Sequence, residues 1–269
     1  MNFLARLCGA ALWRPLVVTG CLLAMGGVLR AERVDAELVL LVDTSNAVNR
    51  GDFTDMMDGF ASAFESSDVI NAIQTGDHGL AVTLMFFSNS STQVVGVPWM
   101  KLEDGDDARD FAGRIRSATR PRSTNASELG PAMDYARQLI GSETGFAGNG
   151  FESDQQALTF GSETNLRVPN GNEPTVEAAR DAALASGVDV ISALTVGTVD
   201  AAAAQQFYED SVIGGAPSAE VANATNYGAL PATATALLAR QIVGIVPEPS
   251  VFSMVLCAAT MFVFRRGRR

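Results

Sequence analysis

The chain has 269 residues, 47% of them hydrophobic and 18% charged, the balance of a globular protein with a sizeable core and not of a disordered one. A total of 30 acidic side chains against 19 basic ones gives a formal net charge of −11, a field that repels nucleic acid and anionic lipid and suits cations or cationic partners. With 1 histidine and 3 cysteines in all, a histidine-rich zinc site is excluded, and neither a Ser-His-Asp triad nor a Cys-His pair has independent support.

At the N-terminus Arg6 and Arg14 precede the apolar stretch PLVVTGCLLAMGGVL, Pro15 to Leu29, after which Arg30, Ala31 and Glu32 restore polarity. A charged start, an apolar middle and a small residue at the end predict a secretory signal over residues 1–31, cleaved at Ala31. Two other readings stay open. One is an uncleaved membrane anchor; the other is a lipoprotein signal in which VTGC presents Cys21 for acylation, weakened because apolar residues follow where a polar linker is expected.

Residues 32–246 then alternate short apolar runs with longer amphipathic ones, the pattern of an α/β sheet. In chain order they predict a strand over Glu37–Asp43, a helix over Asp52–Glu65, strands over Gly79–Phe87 and Thr92–Met100, and helices over Asp106–Ser117 and Ser127–Ile140. A strand over Ala157–Gly161, a helix over Thr175–Ala185, a strand over Val188–Val196, a helix over Ala201–Ser211 and a last helix ending near Val243 complete the series. LAVTLMFFS and VDVISALTV are nearly all apolar, as strands covered on both faces must be. The helix after DGDD has its acids in the first turn and Arg114 and Arg116 later, as the helix dipole prefers, and Pro131 and Pro174 stand in early turns where a missing N–H costs little.

SNSST between two strands reads as a hairpin, so one edge strand is antiparallel in an otherwise parallel sheet. Gly141 to Gln156 reads as a polar, glycine-rich surface loop, free to vary. No repeat or linker divides the body, which is one domain. It carries 12 basic and 29 acidic side chains, a net of −17, and none of Cys8, Cys21 and Cys257. Without disulfides, its stability must come from its core and any bound ion.

The C-terminus places Pro247-Glu248-Pro249 before an apolar run, Val251 to Phe264, and four arginines, Arg265, Arg266, Arg268 and Arg269. Crossing ~30 Å of hydrocarbon takes ~20 helical residues, so the run is short for a span, and the arginines would be held on the cytoplasmic side. Together these features in residues 247–269 resemble the PEP-CTERM sorting signal of bacteria. That resemblance implies export, transient membrane association through a C-terminal transmembrane helix, and removal or transfer of the tail by an exosortase at the cell surface or extracellular matrix.

The chemistry concentrates in LVLLVDTSNAV, where a buried-looking strand runs into Asp43, Thr44, Ser45, Asn46 and Ala47. An Asp-x-Ser at the C-terminal end of the first strand, in a sheet with one antiparallel hairpin strand, resembles the von Willebrand factor A-like fold: a three-layer, doubly wound, mostly parallel sheet. The body resembles most a bacterial group known only as a domain of unknown function (DUF1194-like), through VTLMFFS, VVGVPW, GPAMDYA, AARDAALASGVDV and FYEDSVIGG, over about Ala36 to Val243.

The fold's metal-ion-dependent adhesion site takes oxygens from three loops. By position the resemblance implies Asp43 and Ser45, with Ala47 where a third ligand would stand. It further implies Ser127, with Thr124 as a nearby alternative, and Glu163 in place of an aspartate. Ala47 ligates nothing and Glu163 is one methylene longer. Mg²⁺ tolerates displaced oxygens poorly and Ca²⁺ better, so a weak or Ca²⁺-preferring site is expected; the rival is a vestigial loop in which Asp43 and Ser45 bond only to backbone.

His78 lies in the turn TGDHGL and reads as ordering a loop, and EDGDDARD reads as a helix start and not a calcium loop. The expectation is an exported, surface-associated binding module that recognises a protein or polysaccharide. A carboxylate-based hydrolase using Asp43 and Glu163, or a structural component of an extracellular matrix, stands as the alternative.

Overall fold

The computed structural model describes residues 31–122, 127–164, 173–215 and 218–246. The signal and PEP-CTERM expectations, Cys8, Cys21, Cys257 and Thr124 lie outside the described residues. Strand β1 (Glu32–Arg33) leads into β2 (Ala36–Asp43), helix α1 (Arg50–Glu65), α2 (Ser67–Ile73), β3 (Leu80–Phe87), β4 (Val94–Leu102), α3 (Gly105–Ser117) and α4 (Leu129–Ile140). Then come β5 (Phe151–Glu152), β6 (Gln156–Glu163), α5 (Glu173–Ala185), β7 (Val190–Val196), α6 (Ala201–Phe207), β8 (Gly214–Gly215), β9 (Val221–Ala224) and α7 (Leu230–Ile245).

The main sheet runs β4-β3-β2-β6-β7-β8, with β9 also paired to β7. β2 is parallel to β3 and β6, and β7 is parallel to β6 and β9. β4 returns antiparallel along β3, as the SNSST hairpin predicts, and its register shifts between Val82 and Leu84, opposite the segment that carries Pro98. A proline is tolerated there because an edge strand need not donate every N–H.

Alternation divides β2 between two cores. Leu38, Leu40 and Val42 face one cluster with Phe60 and Phe64 of α1, Phe111 of α3 and Leu237 of α7. Val39 and Leu41 face the other with Met133 of α4, Val176 of α5 and Tyr208. Both faces of the central strands are therefore covered, which is why they read as unbroken apolar runs.

The helices start where the sequence supplies caps. Asn49 accepts from the N–H groups of Gly51 and Asp52, and Asp104 from those of Asp106 and Asp107. The latter confirms the helix start in EDGDDARD.

Several expectations need correcting. The helix predicted from Ser127 begins at Leu129, because Glu128 is still extended (φ −99°, ψ 92°). The helix predicted to run to Ser211 becomes a π-helical turn over Tyr208–Val212, which widens the coil and turns Tyr208 and Val212 into the core. Gly141 to Gln156 is less free than its composition suggests. β5 in that segment pairs in parallel with β1, and Thr144 is buried with its hydroxyl donating to the Arg137 carbonyl at 2.6 Å. β8 adds a second antiparallel pairing to the expected one, against β7.

Candidate functional site

Asp43 closes β2 and is 2% exposed, as is Ser45. The Ser45 N–H donates to Asp43 Oδ1 at 2.6 Å, and the Val48 N–H donates to the Ser45 carbonyl at 3.1 Å, so the chain turns sharply between strand and α1. Thr44 is locked on the other side, its hydroxyl donating to the Phe87 carbonyl at 2.9 Å. Ala47 sits half-buried within this turn.

Arg120, just past α3, braces the turn from outside. Its Nη2 donates to the carbonyls of Thr44 at 3.2 Å, Ser45 at 3.0 Å and Val48, and its guanidinium lies over the Phe53 ring, 5.6 Å from the centroid. No spacing rule points to this arginine, which reaches the turn from 72 to 76 residues away along the chain.

The second loop delivers Ser127. Its hydroxyl donates to Asp43 Oδ2 at 2.8 Å, and Glu128 pins the segment by accepting the Ser90 N–H at 2.8 Å and donating its own N–H to the Ser88 carbonyl at 2.7 Å. From the third loop the partner of Asp43 is Ser162, whose hydroxyl donates to Oδ2 at 2.8 Å. Glu163 points elsewhere and accepts the Tyr227 hydroxyl at 2.7 Å. Successive strand residues face opposite sides, so the end of β6 can aim only one of the two at Asp43. The period-2 rule selects the Ser162 hydroxyl, where the loop resemblance implies the Glu163 carboxylate.

Burial pushes the Asp43 pKa up, against the Ser45 N–H, the hydroxyls of Ser162 and Ser127 and, least, the nearby Ser45 hydroxyl. Glu163 is also pushed up, by burial first, against the Tyr227 hydroxyl and with help from the carboxylates of Asp52 and Asp43. Behind Ser162, the buried Tyr208 hydroxyl makes no regular hydrogen bond, and burial followed by the Asp43 charge pushes its pKa above the ordinary range. Asp43 is thus buried beneath the rim, and Glu163, within reach of its charge, is held by the Tyr227 hydroxyl. His78 is exposed in its turn, and its N–H bonds to Asp35 Oδ2 at 2.7 Å, as a loop-ordering residue would.

Among the described residues no three histidine, cysteine, aspartate or glutamate side chains gather so as to hold a metal ion. Any ion here would depend on hydroxyl oxygens. Asp43, Ser45 and Ser127 are brought together, and Ser45 Oγ, buried beside the carboxylate, makes no regular hydrogen bond. An oxygen that lies near the carboxylate without a regular hydrogen bond fits a ligand role. Ala47 contributes no oxygen, and Glu163 Oε1 is already taken by the Tyr227 hydroxyl.

The family model described as a protein of unknown function (DUF1194) matches residues 33–246. No curated protein sequence matches the chain. Among solved structures the chain is similar to proximal thread matrix protein 1 from the mussel byssus, at 14% identity and a TM-score of 0.51, over 79% of this chain and 49% of that one. It is similar also to the pilus adhesin SpaC from Lactobacillus rhamnosus GG, at 14% identity and a TM-score of 0.53, over 78% of this chain and 30% of that one. A von Willebrand factor type A structure from Catenulispora acidiphila matches at 9% identity and a TM-score of 0.49, over 78% of this chain and 43% of that one. The chain therefore spans half or less of the length of these structures, and the likeness to the first two shows a shared fold, a mostly parallel sheet between helices.

Proposed function

The chain belongs to the DUF1194 family, whose fold here is von Willebrand factor A-like, and we propose that it is an exported, surface-held binding module. It recognises a protein or polysaccharide partner at the rim where β2 ends. The observation that carries this reading is the convergence of Asp43, Ser45 and Ser127 on one buried point, with Ser45 Oγ left without a regular partner.

These three residues would hold a hard divalent cation, Mg²⁺ or Ca²⁺, with water completing its shell. When bound, the ion would supply an open position for an oxygen of the partner. The chain's own residues do the rest: Ser162 holds the Asp43 carboxylate in place, Arg120 fixes the turn, and Tyr227 keeps Glu163 back. With one full charge and two hydroxyls, the set is a reduced version of the adhesion site, and its affinity is low.

Calorimetry of the full chain in a mild non-ionic detergent tests this. Ca²⁺ or Mg²⁺ should bind weakly and raise the melting point by mass action, and Asp43→Asn should abolish both effects. Ala47→Ser, which restores an oxygen within the turn, should tighten Mg²⁺ about tenfold or more, roughly 1.4 kcal/mol. Silence from wild type and the Ala47→Ser variant alike, with the fold intact, would leave Asp43 a structural residue.

A further inference from the structure

Every described lysine and arginine stands within ion-pair distance of a carboxylate except Arg50, Arg120 and Arg122. Those three line one open cleft of about 640 Å³, together with Phe53, Thr54 and Thr119. In a body with 29 acidic side chains to 12 basic ones, three cations unpaired in one place do not reflect a shortage of acids. Their like charges also meet: burial lowers the Arg120 pKa, the Asp43 charge partly restores it, and the nearby Arg50 charge lowers it again by less.

The three differ in what they can offer. Arg120 is the floor, with Nη2 committed to the turn carbonyls and Nε buried without a partner. Arg50, in the first turn of α1, and Arg122, beyond Pro121, are both exposed. Their guanidinium forks are free to meet an oxyanion in the two-pronged geometry that suits carboxylate, phosphate and sulfate.

We propose that this cleft binds a small organic oxyanion, a ligand of sugar size carrying one or two carboxylate, phosphate or sulfate groups, with Arg50 and Arg122 making the charged contacts over Arg120. The volume falls in the ordinary range for small-molecule sites, about 300–1,000 Å³, whereas a bare inorganic ion would leave most of it to water. A long polyanion would extend beyond the cleft into the field of a body carrying −17, which repels it. Thr54 and Thr119 suit a hydroxylated ligand.

Binding here needs no metal, so the test is run with the full chain in non-ionic detergent and EDTA throughout, and its failure leaves the reading of Asp43 untouched. Calorimetry would compare digalacturonate, glucose 6-phosphate, inorganic phosphate, neutral maltose and long-chain polygalacturonate. The expected result is binding of digalacturonate or glucose 6-phosphate, and the stronger of the two identifies the acidic group. Affinity should fall about tenfold in each of Arg50→Ala and Arg122→Ala, and it should weaken with added salt. Both side chains are exposed, and unchanged melting points would show that the variants fold. Absence of heat with both organic anions, maltose binding as tightly as they do, or affinity unchanged in both variants would overturn the proposal. So would inorganic phosphate or polygalacturonate outcompeting the small organic anions.

Discussion

Glu37 and Asp43 are two fully or nearly buried carboxylates on the same strand, and their surroundings treat them differently. Asp43 receives three donors at 2.6–2.8 Å. Glu37 receives the Asn149 amide at 2.7 Å and a long contact from the Ser153 hydroxyl at 3.4 Å. Burial, with a lesser push from the Glu143 charge, raises the Glu37 pKa from 4.5 to about 8 against those two hydrogen bonds. A carboxyl whose pKa is higher folded than unfolded favours folding fully below about pH 4.5, and that contribution is lost as pH rises to about 8. Glu37→Gln keeps the shape and hydrogen-bonding capacity but cannot ionise. Its stability advantage over wild type should therefore grow across that window, by on the order of a few kcal/mol. Melting points at either end of the window check this, and a gap that does not change with pH would refute it. Neither contact was legible in the sequence, because Asn149 and Ser153 lie 112 and 116 residues from Glu37. Asp43, Ser45 and Ser127 were legible because a known loop pattern fixes their order along the chain.

At the scale of elements, the junction of α1 and β6 is held by the fit of a ring over a glycine. A methyl group on Gly161 would stand 2.7 Å from the Phe60 ring, and Phe60 is fully buried. Gly161→Ala should therefore cost about 1–3 kcal/mol, and a smaller ring-side residue, Phe60→Leu, should recover part of it in the double variant. Denaturant melts of the three variants measure this coupling; additive losses would show that the two residues do not press on each other. The long strands and helices were legible because each sustains one apolar period. β9, VANA, was not: it is a four-residue edge strand, half-buried and with a polar residue in its middle. α2 escaped for a similar reason, since seven residues give too few turns for a periodic stripe.

For the whole molecule, a two-sided sheet with a core on each face supplies stability without covalent help, since the three cysteines all lie outside residues 32–246. The proposed export route gives this an experimental form. Protein recovered from its native host should lack residues before about Glu32 and the terminal arginine cluster by intact-mass analysis, and dithiothreitol should leave its melting point unchanged. Full-length chain in the membrane, or a melting point that falls on reduction, would contradict it. Within 31–246, no helix among the described residues is long and apolar enough to cross a membrane, so the expected anchoring rests entirely on the two end segments.

Arg120 makes the Asp43 turn a structure with a built-in counter-ion. A soluble cation leaves when its concentration drops, whereas a guanidinium holding three backbone carbonyls stays attached through the chain. Selection then acts on the turn's shape and on its ion affinity separately. Because the arginine holds the shape, a methyl group at Ala47 leaves the turn folded whether or not an ion is present.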